Sequence, residues 1–452
     1  MMGRYRKYAE YKDTGVAWLG LVPTHWHIHK TKHLFVRMQR AVTPEDEIVT
    51  AFRDGQVTLR SNRRTDGFTQ SIKEIGYQGV KSGDLVVHAM DGFAGAIGVS
   101  DSDGKCSPVY SVCVANRGRQ LEMRYYGYLV RQLAVTEYIT ALARGIRERS
   151  TEFRYNEFAS LDLACPPHPE QTQIAAFLDY ETAKIDALIA KQQELIALLK
   201  EKRQATISHA VTKGLNPDAP MRDSGVEWLG KIPAHWMILP LRAVADIVDP
   251  NPSHRNPVYV ESGFPFISTV EFVGTDEIEL DTPRRVDLKT VEEQEMRCSF
   301  GNGSLAFSRK GTIGSVRVLP SGVRFALLDS VCVINSGVNL DYRYLYRQLT
   351  SSLIESQLGS MTRGAALKQI SVGRVRNLKV VLPPIGEQKE IIKRTKTILA
   401  RIDSSISLSE EQISLLEERR TALISAAVTG KIDVRDWRPP ASPTQPREEA
   451  HV

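Results

Sequence analysis

The stretch from Pro166 to Gly214 constrains the fold of this chain more than any other, because it predicts one long helix with defined ends. Pro166 and Pro167 cannot lie in a helix interior, so the helix must begin after them. Apolar residues then recur at alternating steps of four and three, which is the spacing of a coiled-coil seam. The seam positions are Ile185, Ile189, Gln192, Ile196, Leu199 and Arg203. A seam of this kind requires a partner helix.

The chain contains this partner, because the segment that begins at Pro383 repeats the first one without a gap. Pro383 and Pro384 correspond to Pro166 and Pro167. The seam of the second segment consists of Ile402, Ile406, Ser409, Ile413, Leu416 and Arg420. Self-similarity at a fixed offset indicates a duplicated unit. The sequence therefore predicts two long helices that pair with one another.

Composition limits the class of protein. The chain has 452 residues, enough for about two to four domains, and its 42% hydrophobic and 25% charged content is typical of soluble proteins. A formal net charge of +6 permits a nucleic-acid partner without requiring one. There is no apolar run long enough to cross a bilayer. Five cysteines without a C-x-x-C pair predict reduced thiols and a cytoplasmic location.

A second motif is also duplicated, and one globular region separates each copy of it from the following helix. Asp13 opens the stretch DTGVAWLG, followed by VPTHW, and Asp223 opens DSGVEWLG, followed by IPAHW. The chain order is therefore globular region, helix, globular region, helix. The predicted boundaries are residues 1–166, 167–214, 215–383 and 384–434, and we expect a disordered proline-rich tail at 435–452.

Each globular region combines strand and helix signals. Short apolar runs such as Leu85–Ala89 and Ser304–Phe307 are typical of strands, and each leads into a glycine-rich turn. Longer stretches with helical periodicity follow them. We therefore predict an α+β fold class.

The two duplicated elements, D-[ST]-G-V-x-W-L-G-x-[IV]-P-x-H-W and P-P-x-x-E-Q with a long heptad helix ending A-V-T, resemble those of type I restriction–modification specificity subunits. Both occur twice, in the family's order, over nearly the whole chain. The resemblance implies two tandem α/β target recognition domains, each reading one half of a bipartite DNA sequence. It implies two spacer helices that form an antiparallel coiled coil with an internal pseudo-twofold. It also implies a chain without catalysis of its own, and we expect the chain itself to bind no metal and no cofactor.

The resemblance further implies partner subunits. Besides double-stranded DNA, the chain would bind two adenine N6-methyltransferase subunits, which carry S-adenosylmethionine. A restriction complex would add two translocase and nuclease subunits, which use ATP and Mg. The residues expected to pair the helices and dock these partners are Ile185, Ile189, Ile196, Leu199, Ile402, Ile406, Ile413 and Leu416.

Antiparallel helices would place the two domains at opposite ends of the spacer. About 30 residues at 1.5 Å each span roughly 45 Å. Half-sites one duplex turn apart lie about 34–36 Å from centre to centre. The expected spacing therefore suits a target with a gap between its two halves.

Candidate DNA contacts are polar and basic side chains in loops, because Arg and Asn read base edges and Lys or Arg binds phosphates. For each of them the alternative is a solvated basic surface. The candidates are Arg60, Asn62, Arg63, Arg64, Arg144, Arg147, Arg149 and Arg154 in the first region, and Arg309, Lys310, Arg363 and Lys368 in the second.

Two other functions stay open from the sequence. One is a stand-alone sequence-specific DNA-binding regulator, and the other is a coiled-coil adaptor whose basic loops are only exposed surface. An enzyme is disfavoured, because the sequence has no G-x-x-x-x-G-K-[ST] phosphate loop. His25, His27 and His29 alternate, but the second copy keeps only His235, which argues against an essential metal site.

Overall fold

Two long helices, His168–Lys213 and Ile385–Val428, dominate the computed structural model. Each begins directly after its proline pair. Each is followed by a glycine with positive φ, Gly214 at +76° and Gly430 at +71°. Left-handed residues commonly end helices, and glycine adopts this conformation without a steric penalty. The second helix therefore stops at Val428, short of the predicted boundary at residue 434.

The structure describes residues 5–63, 74–136, 153–251, 257–274, 276–298, 300–361 and 369–440. It divides into two units. Unit 1 comprises residues 1–192 and 411–452, and unit 2 comprises residues 193–410. Each unit thus contains one globular region together with a segment of each long helix.

Burial along the long helices follows the predicted seam. Every seam side chain is buried or half-buried, whereas the residues between them at 186–188, 193–195, 403–405 and 410–412 are exposed. The most buried are Ile185, Ser409 and Ile402, which are 2%, 5% and 6% exposed. A repeat of 3.5 residues keeps such a stripe facing a partner helix. The predicted coiled coil is confirmed.

One ion pair in each unit joins the two helices. In unit 1, Nε of Arg420 donates to Oδ1 of Asp186 at 2.9 Å, and in unit 2, Nε of Arg203 donates to Oδ1 of Asp403 at 2.9 Å. Within unit 1, Oη of Tyr125 donates to the carbonyl of Ala164, just before the first helix, and to that of Val428, the last residue of the second helix. Arg420 pairs with Asp186 further along the first helix, so the two helix segments of this unit are antiparallel. The two pairs correspond to each other in the duplication. Exposed pairs add little stability, so we assign them mainly to register.

We expect a charge in the seam to destabilise unit 1 and a charge beside the seam to leave it unchanged. Ile185→Asp buries an unpaired carboxylate and should lower the free energy of unfolding by about 3 kcal/mol. Leu188→Asp, at a position that is 42% exposed, is the matched control and should cost less than about 0.5 kcal/mol. Chemical denaturation of both variants tests this. Equal losses would contradict the seam.

A four-stranded antiparallel sheet forms the centre of unit 1. Its spatial order is Phe35–Met38, Tyr110–Ala115, Leu85–His88 and Ile97–Val99. The described part of unit 1 also has four two-stranded pairs: Tyr11–Asp13 with Leu21–Pro23, His27–Lys30 with Asp162–Cys165, Val49–Ala51 with Val57–Leu59, and Gln78–Val80 with Gly104–Cys106. The helices of the described globular region are Thr31–Leu34, Met123–Val135 and Tyr155–Ser160, with 3-10 turns at Arg60–Asn62 and Gly92–Ala94.

Unit 2 repeats this central sheet with the same connectivity. Its spatial order is Ala245–Val248, Val331–Ser336, Leu305–Ser308 and Val316–Val318. The additional strands are Met221–Asp223 with Lys231–Pro233, Met237–Pro240 with Lys379–Leu382, Phe272–Val273 with Glu277–Ile278, and Tyr259–Ile267 between Arg285–Val286 and Ala326–Leu327. The helices are Leu288–Arg297, Tyr342–Leu349, Ser352–Met361 and Val372–Arg376, with 3-10 turns at Leu241–Ala243 and Thr269–Glu271. The α+β prediction is confirmed in both units.

The segment after the second helix folds back onto unit 1. The backbone N–H of Asp433 donates to the carbonyl of Arg6 at 2.8 Å. The Trp437 ring packs 5.4 Å from that of Phe177 and 5.5 Å from that of Tyr180. Residue 435 is therefore not the start of a disordered tail, because the chain is packed through Trp437. The rest of the predicted tail, residues 441–452, lies outside the described residues.

The long helices are amphipathic rather than uniformly apolar. Across the part of the chain that the structure describes, no helix combines the length and the apolar character needed to span a membrane.

Candidate nucleic-acid interface

The duplicated His-Trp and Glu-Gln pairs meet in unit 1 where the first long helix begins. The Glu170 carboxylate accepts hydrogen bonds from Oη of Tyr8 at 2.6 Å and from Nε1 of Trp26 at 2.9 Å. Nε2 of His25 lies 2.8 Å from the same carboxylate, whose side chain is only 6% exposed. Burial, followed by the contact with Glu170, raises the pKa of Tyr8, so its hydroxyl stays a donor.

Unit 2 repeats this contact in a more exposed form. The Glu387 carboxylate accepts from Nε1 of Trp236 at 3.0 Å and lies 2.9 Å from Nε2 of His235. Its side chain is 30% exposed.

The neighbouring glutamines, Gln171 and Gln388, also match. Nε2 of each donates to the carbonyl of the first proline before its helix, and Oε1 of each accepts a backbone N–H from the globular region. The two motifs are therefore structural, because they fix each globular region to its helix.

Half of the predicted DNA contacts lie outside the described residues. They are Arg64, Arg144, Arg147, Arg149, Arg363 and Lys368. Arg154 is described, and it is exposed at the start of the short helix Tyr155–Ser160. For all seven residues, contact with DNA stays a prediction.

The remaining candidates of unit 1 lie in the 3-10 turn that follows the hairpin Val49–Leu59. Nε of Arg60 donates to Oγ1 of Thr50 at 2.9 Å, and Nδ2 of Asn62 donates to Oγ1 of Thr58 at 2.9 Å. The Asn62 side chain is thus held by the hairpin. The next residue along the chain, Arg63, makes different contacts.

Arg63 lies over an aromatic ring and is held by a carboxylate. Its guanidinium carbon is 4.3 Å from the centroid of Phe52, and its Nη2 is 2.5 Å from Oδ2 of Asp54. Burial opposes ionisation of Asp54, but the hydrogen bonds from Arg63 and from the backbone N–H of Gln56 outweigh it and lower the pKa of this carboxyl. The contact is therefore an ion pair at neutral pH, and the ring fixes the plane of the guanidinium.

Arg63 lines a cleft of unit 1 together with Arg53 and His88. Nη2 of Arg53 donates to Oδ1 of Asp91 at 3.0 Å. Nδ1 of His88 accepts the backbone N–H groups of Met90 and Asp91 at 3.1 and 2.9 Å, and burial lowers the pKa of His88. The ring is therefore neutral with its proton on Nε2. The cleft has a volume of about 680 Å³.

The described chain resumes beside this cleft after residues 137–152. The N–H of Phe153 donates to the carbonyl of Ala89, at 2.7 Å. In unit 2, the N–H of Ile370, just after residues 362–368, donates in the same way to the carbonyl of Arg309, at 2.9 Å. Phe153 and Ile370 are therefore bonded to equivalent positions, each directly after a strand of the central sheet.

The prediction for Arg309 needs correction. Its side chain is 7% exposed, with Nη2 3.0 Å from Oδ2 of Asp249 and 2.6 Å from the carbonyl of Asp329. Nζ of Lys310 is 2.6 Å from Oδ2 of Asp329. Because Arg309 is buried and committed to these acceptors, we no longer expect it to reach DNA. Lys310 is half-buried and already paired.

The sequence prediction missed Arg53 and His88 because they lie far from the basic runs. Only the sheet brings the end of strand Leu85–His88 next to the hairpin Val49–Leu59. The available signal was that an aromatic residue and two arginines lie close to one hairpin, with Phe52 and Arg53 in its loop and Arg63 after its second strand.

Comparison with known proteins agrees with the family resemblance. Residues 235–418 match the family model described as the type I restriction modification DNA specificity domain. The EcoBI specificity subunit of Escherichia coli is 23% identical over 289 residues, which are 61% of this chain and 59% of that protein. The EcoDI specificity subunit of Escherichia coli is 22% identical over 349 residues, 69% of this chain and 73% of that protein.

A solved structure has the same fold. It comes from a study of complex assembly and conformational transition of the type I R-M system. The TM-score is 0.65 at 18% sequence identity, and the match covers 90% of this chain and 98% of the solved one. At this identity the likeness bears on the fold alone.

Proposed function

We propose that this chain, which belongs to the family of type I restriction–modification specificity subunits, recognises a two-part DNA target with its two units and docks the methyltransferase on its long helices. As a specificity subunit it is a recognition protein and not an enzyme. Its partners are DNA and the other subunits of a restriction–modification system. The bases that the chain reads and the number of partner subunits that it holds are proposed and not observed.

The observation that carries the two-part target is the duplication of a frame with different side chains at matching positions. Both units contain the same four-stranded sheet, and in both a later part of the chain, at Phe153 or Ile370, bonds to the residue that follows the same strand. The residues that follow this strand differ, because Met90 is exposed in unit 1 whereas Lys310 pairs with Asp329 in unit 2. Base readout depends on a few side chains on a fixed frame. Two frames with different side chains suit two different half-targets.

The proposed partners supply the chemistry. Two methyltransferase subunits would carry S-adenosylmethionine, and two restriction subunits would use ATP and Mg. Among the described residues, no group of three or more His, Cys, Asp or Glu side chains is arranged to hold a metal. We propose that this chain binds no cofactor itself.

Leucines outside the seam support docking on the helices. In unit 1, Leu188 and Leu415 are 42% and 56% exposed, and in unit 2, Leu195, Leu198 and Leu408 are 43%, 55% and 55% exposed. Exposed apolar side chains that recur along one element are typical of interaction surfaces. We propose that helices of the methyltransferase subunit cover them.

Charges at these leucines should release the methyltransferase without unfolding the chain. Leu198 and Leu415 occupy equivalent positions in the duplication, so the variant is Leu198→Asp with Leu415→Asp. We expect less than about 1 kcal/mol of lost stability, since both sites are exposed, and a loss of most of the co-purified methyltransferase. The control carries Ala197→Asp and Ser414→Asp, at neighbouring exposed positions. Wild-type recovery of the methyltransferase with the leucine variant would contradict docking at this face.

The function itself is tested by binding of the co-expressed complex to DNA duplexes at several salt concentrations. A recognition subunit that contacts phosphates should lose affinity linearly on a plot of log K against log salt. Absence of salt-dependent binding would favour a coiled-coil adaptor. Binding by a chain that brings no methyltransferase through purification would favour a stand-alone regulator. Either result would overturn the proposal.

A further inference from the structure

We propose that the cleft of unit 1, formed by Phe52, Arg53, Arg63, His88 and Tyr110, reads a guanine in the half-target of that unit. This inference rests on the proposed function, because it assigns a base to a recognition unit. We name this set of residues the arginine cleft.

The first argument is that Arg63 is held in place before any ligand arrives. The Phe52 ring fixes the plane of its guanidinium, and Asp54 holds one edge. Nη1 also lies 3.4 Å from Oε1 of Gln56. A guanidinium has five N–H donors, and these two contacts with described residues use two of them. Three donors remain for a ligand. Because the side chain is already ordered, it loses little further conformational entropy when a ligand binds.

The second argument is that the cleft offers donors. His88 accepts at Nδ1, so its remaining polar atom, Nε2, carries a proton. The Tyr110 ring packs edge-on against His88, with the ring centroids 4.5 Å apart. Arg53 adds a second guanidinium, whose side chain is 70% exposed.

The carboxylates of the cleft are occupied by arginines. Asp54 accepts from Arg63 and Asp91 accepts from Arg53. Their charges therefore orient the guanidinium groups.

Guanine fits this arrangement better than the other bases do. In the major groove it presents two acceptors, N7 and O6, whereas adenine presents one acceptor beside a donor and cytosine presents a donor. A planar guanidinium pairs with the two guanine acceptors through two parallel hydrogen bonds. Because arginines outnumber carboxylates in the lining of the cleft, a base edge with two acceptors fits it better than an edge that also carries an amino group.

The corresponding place in unit 2 is different in the part of the chain that the structure describes. Arg309 is buried there and donates to Asp249 and Asp329. Its guanidinium therefore serves the fold of unit 2. The inference assigns the guanine to the half-target of unit 1 and makes no assignment for unit 2.

The experiment is to map N6-methyladenine in the DNA of a host without such methylation. The host expresses this chain with the methyltransferase subunit of its own system. The variants are Arg63→Ala and Arg63→Lys. The lysine variant keeps the positive charge and any phosphate contact, but it loses the two parallel hydrogen bonds. The control is Arg117→Ala, an exposed arginine of unit 1 away from the arginine cleft.

We expect the wild-type target to contain a guanine at which both Arg63 variants lose about 10-fold or more of their preference. The other half-target should not change, and Arg117→Ala should behave as wild type. Retention of every guanine preference in the lysine variant would overturn the inference, because the arginine would then contact only phosphate. A wild-type map without a two-part target would instead overturn the proposed function, so the two failures are distinct.

Discussion

Replacing Glu170 with alanine should destabilise unit 1 far more than the matching replacement of Glu387 destabilises unit 2. Glu170 is the acceptor for Tyr8 and Trp26, which are 5% and 0% exposed. A buried donor without an acceptor costs about 1–3 kcal/mol. We therefore expect Glu170→Ala to lower the free energy of unfolding by about 3 kcal/mol or more.

Glu387→Ala provides the matched control, because the duplication places the same residue type in the same motif. Its carboxylate accepts from Trp236 and contacts His235, and its side chain is 30% exposed. Water can replace part of that contact, so we expect a loss of about 1 kcal/mol. Glu170→Gln should cost less than Glu170→Ala, because its amide oxygen can still accept from Tyr8 and Trp26, which both donate to Oε1 of Glu170, and only the contact with His25 changes.

Denaturant unfolding followed by native-state hydrogen exchange measures both effects. Exchange localises the loss to one unit, which a single unfolding curve cannot do when two units unfold separately. The faster exchange should be confined to unit 1 in Glu170→Ala. Equal losses in Glu170→Ala and Glu387→Ala would contradict the assigned role of the buried contact.

The sequence predicted those features of the fold that depend on spacing along one helix. Proline pairs and glycines set the ends of both long helices, and the steps of four and three set the buried stripe from Ile185 onward. These signals are local, so the chain around each residue decides the outcome. Duplication added a second, independent copy of each signal.

The direction of a side chain and the pairing of residues that are far apart in the sequence could not be predicted from such local signals. Arg309 was expected to contact DNA because it follows a strand and precedes a glycine, yet sheet pairing turns its guanidinium inward to Asp249. The arginine cleft joins Arg53, Arg63 and His88, which are separated in sequence and meet only when the sheet forms. The sequence alone gives no measure of such proximity.

Exchange of one recognition region should change one half of the methylated target and leave the other half intact. The chimera carries the residues between Ser224 and Pro383 from a relative with a different target, and the reciprocal chimera carries the residues between Thr14 and Pro166. Each region is fixed to its own helix by the same Glu-Gln contacts, so a replacement with the same motifs should fold on the existing helices. We expect each exchange to change completely the sequence recognised in one half of the target.

The most direct test of the two-unit account is therefore the map of N6-methyladenine produced by the wild-type chain and by each chimera, co-expressed with the same methyltransferase subunit. The account predicts a two-part sequence for the wild type, with a different half replaced in each chimera and the length of the gap unchanged. A change of both halves by one exchange, or of neither half by a folded and active chimera, would contradict it.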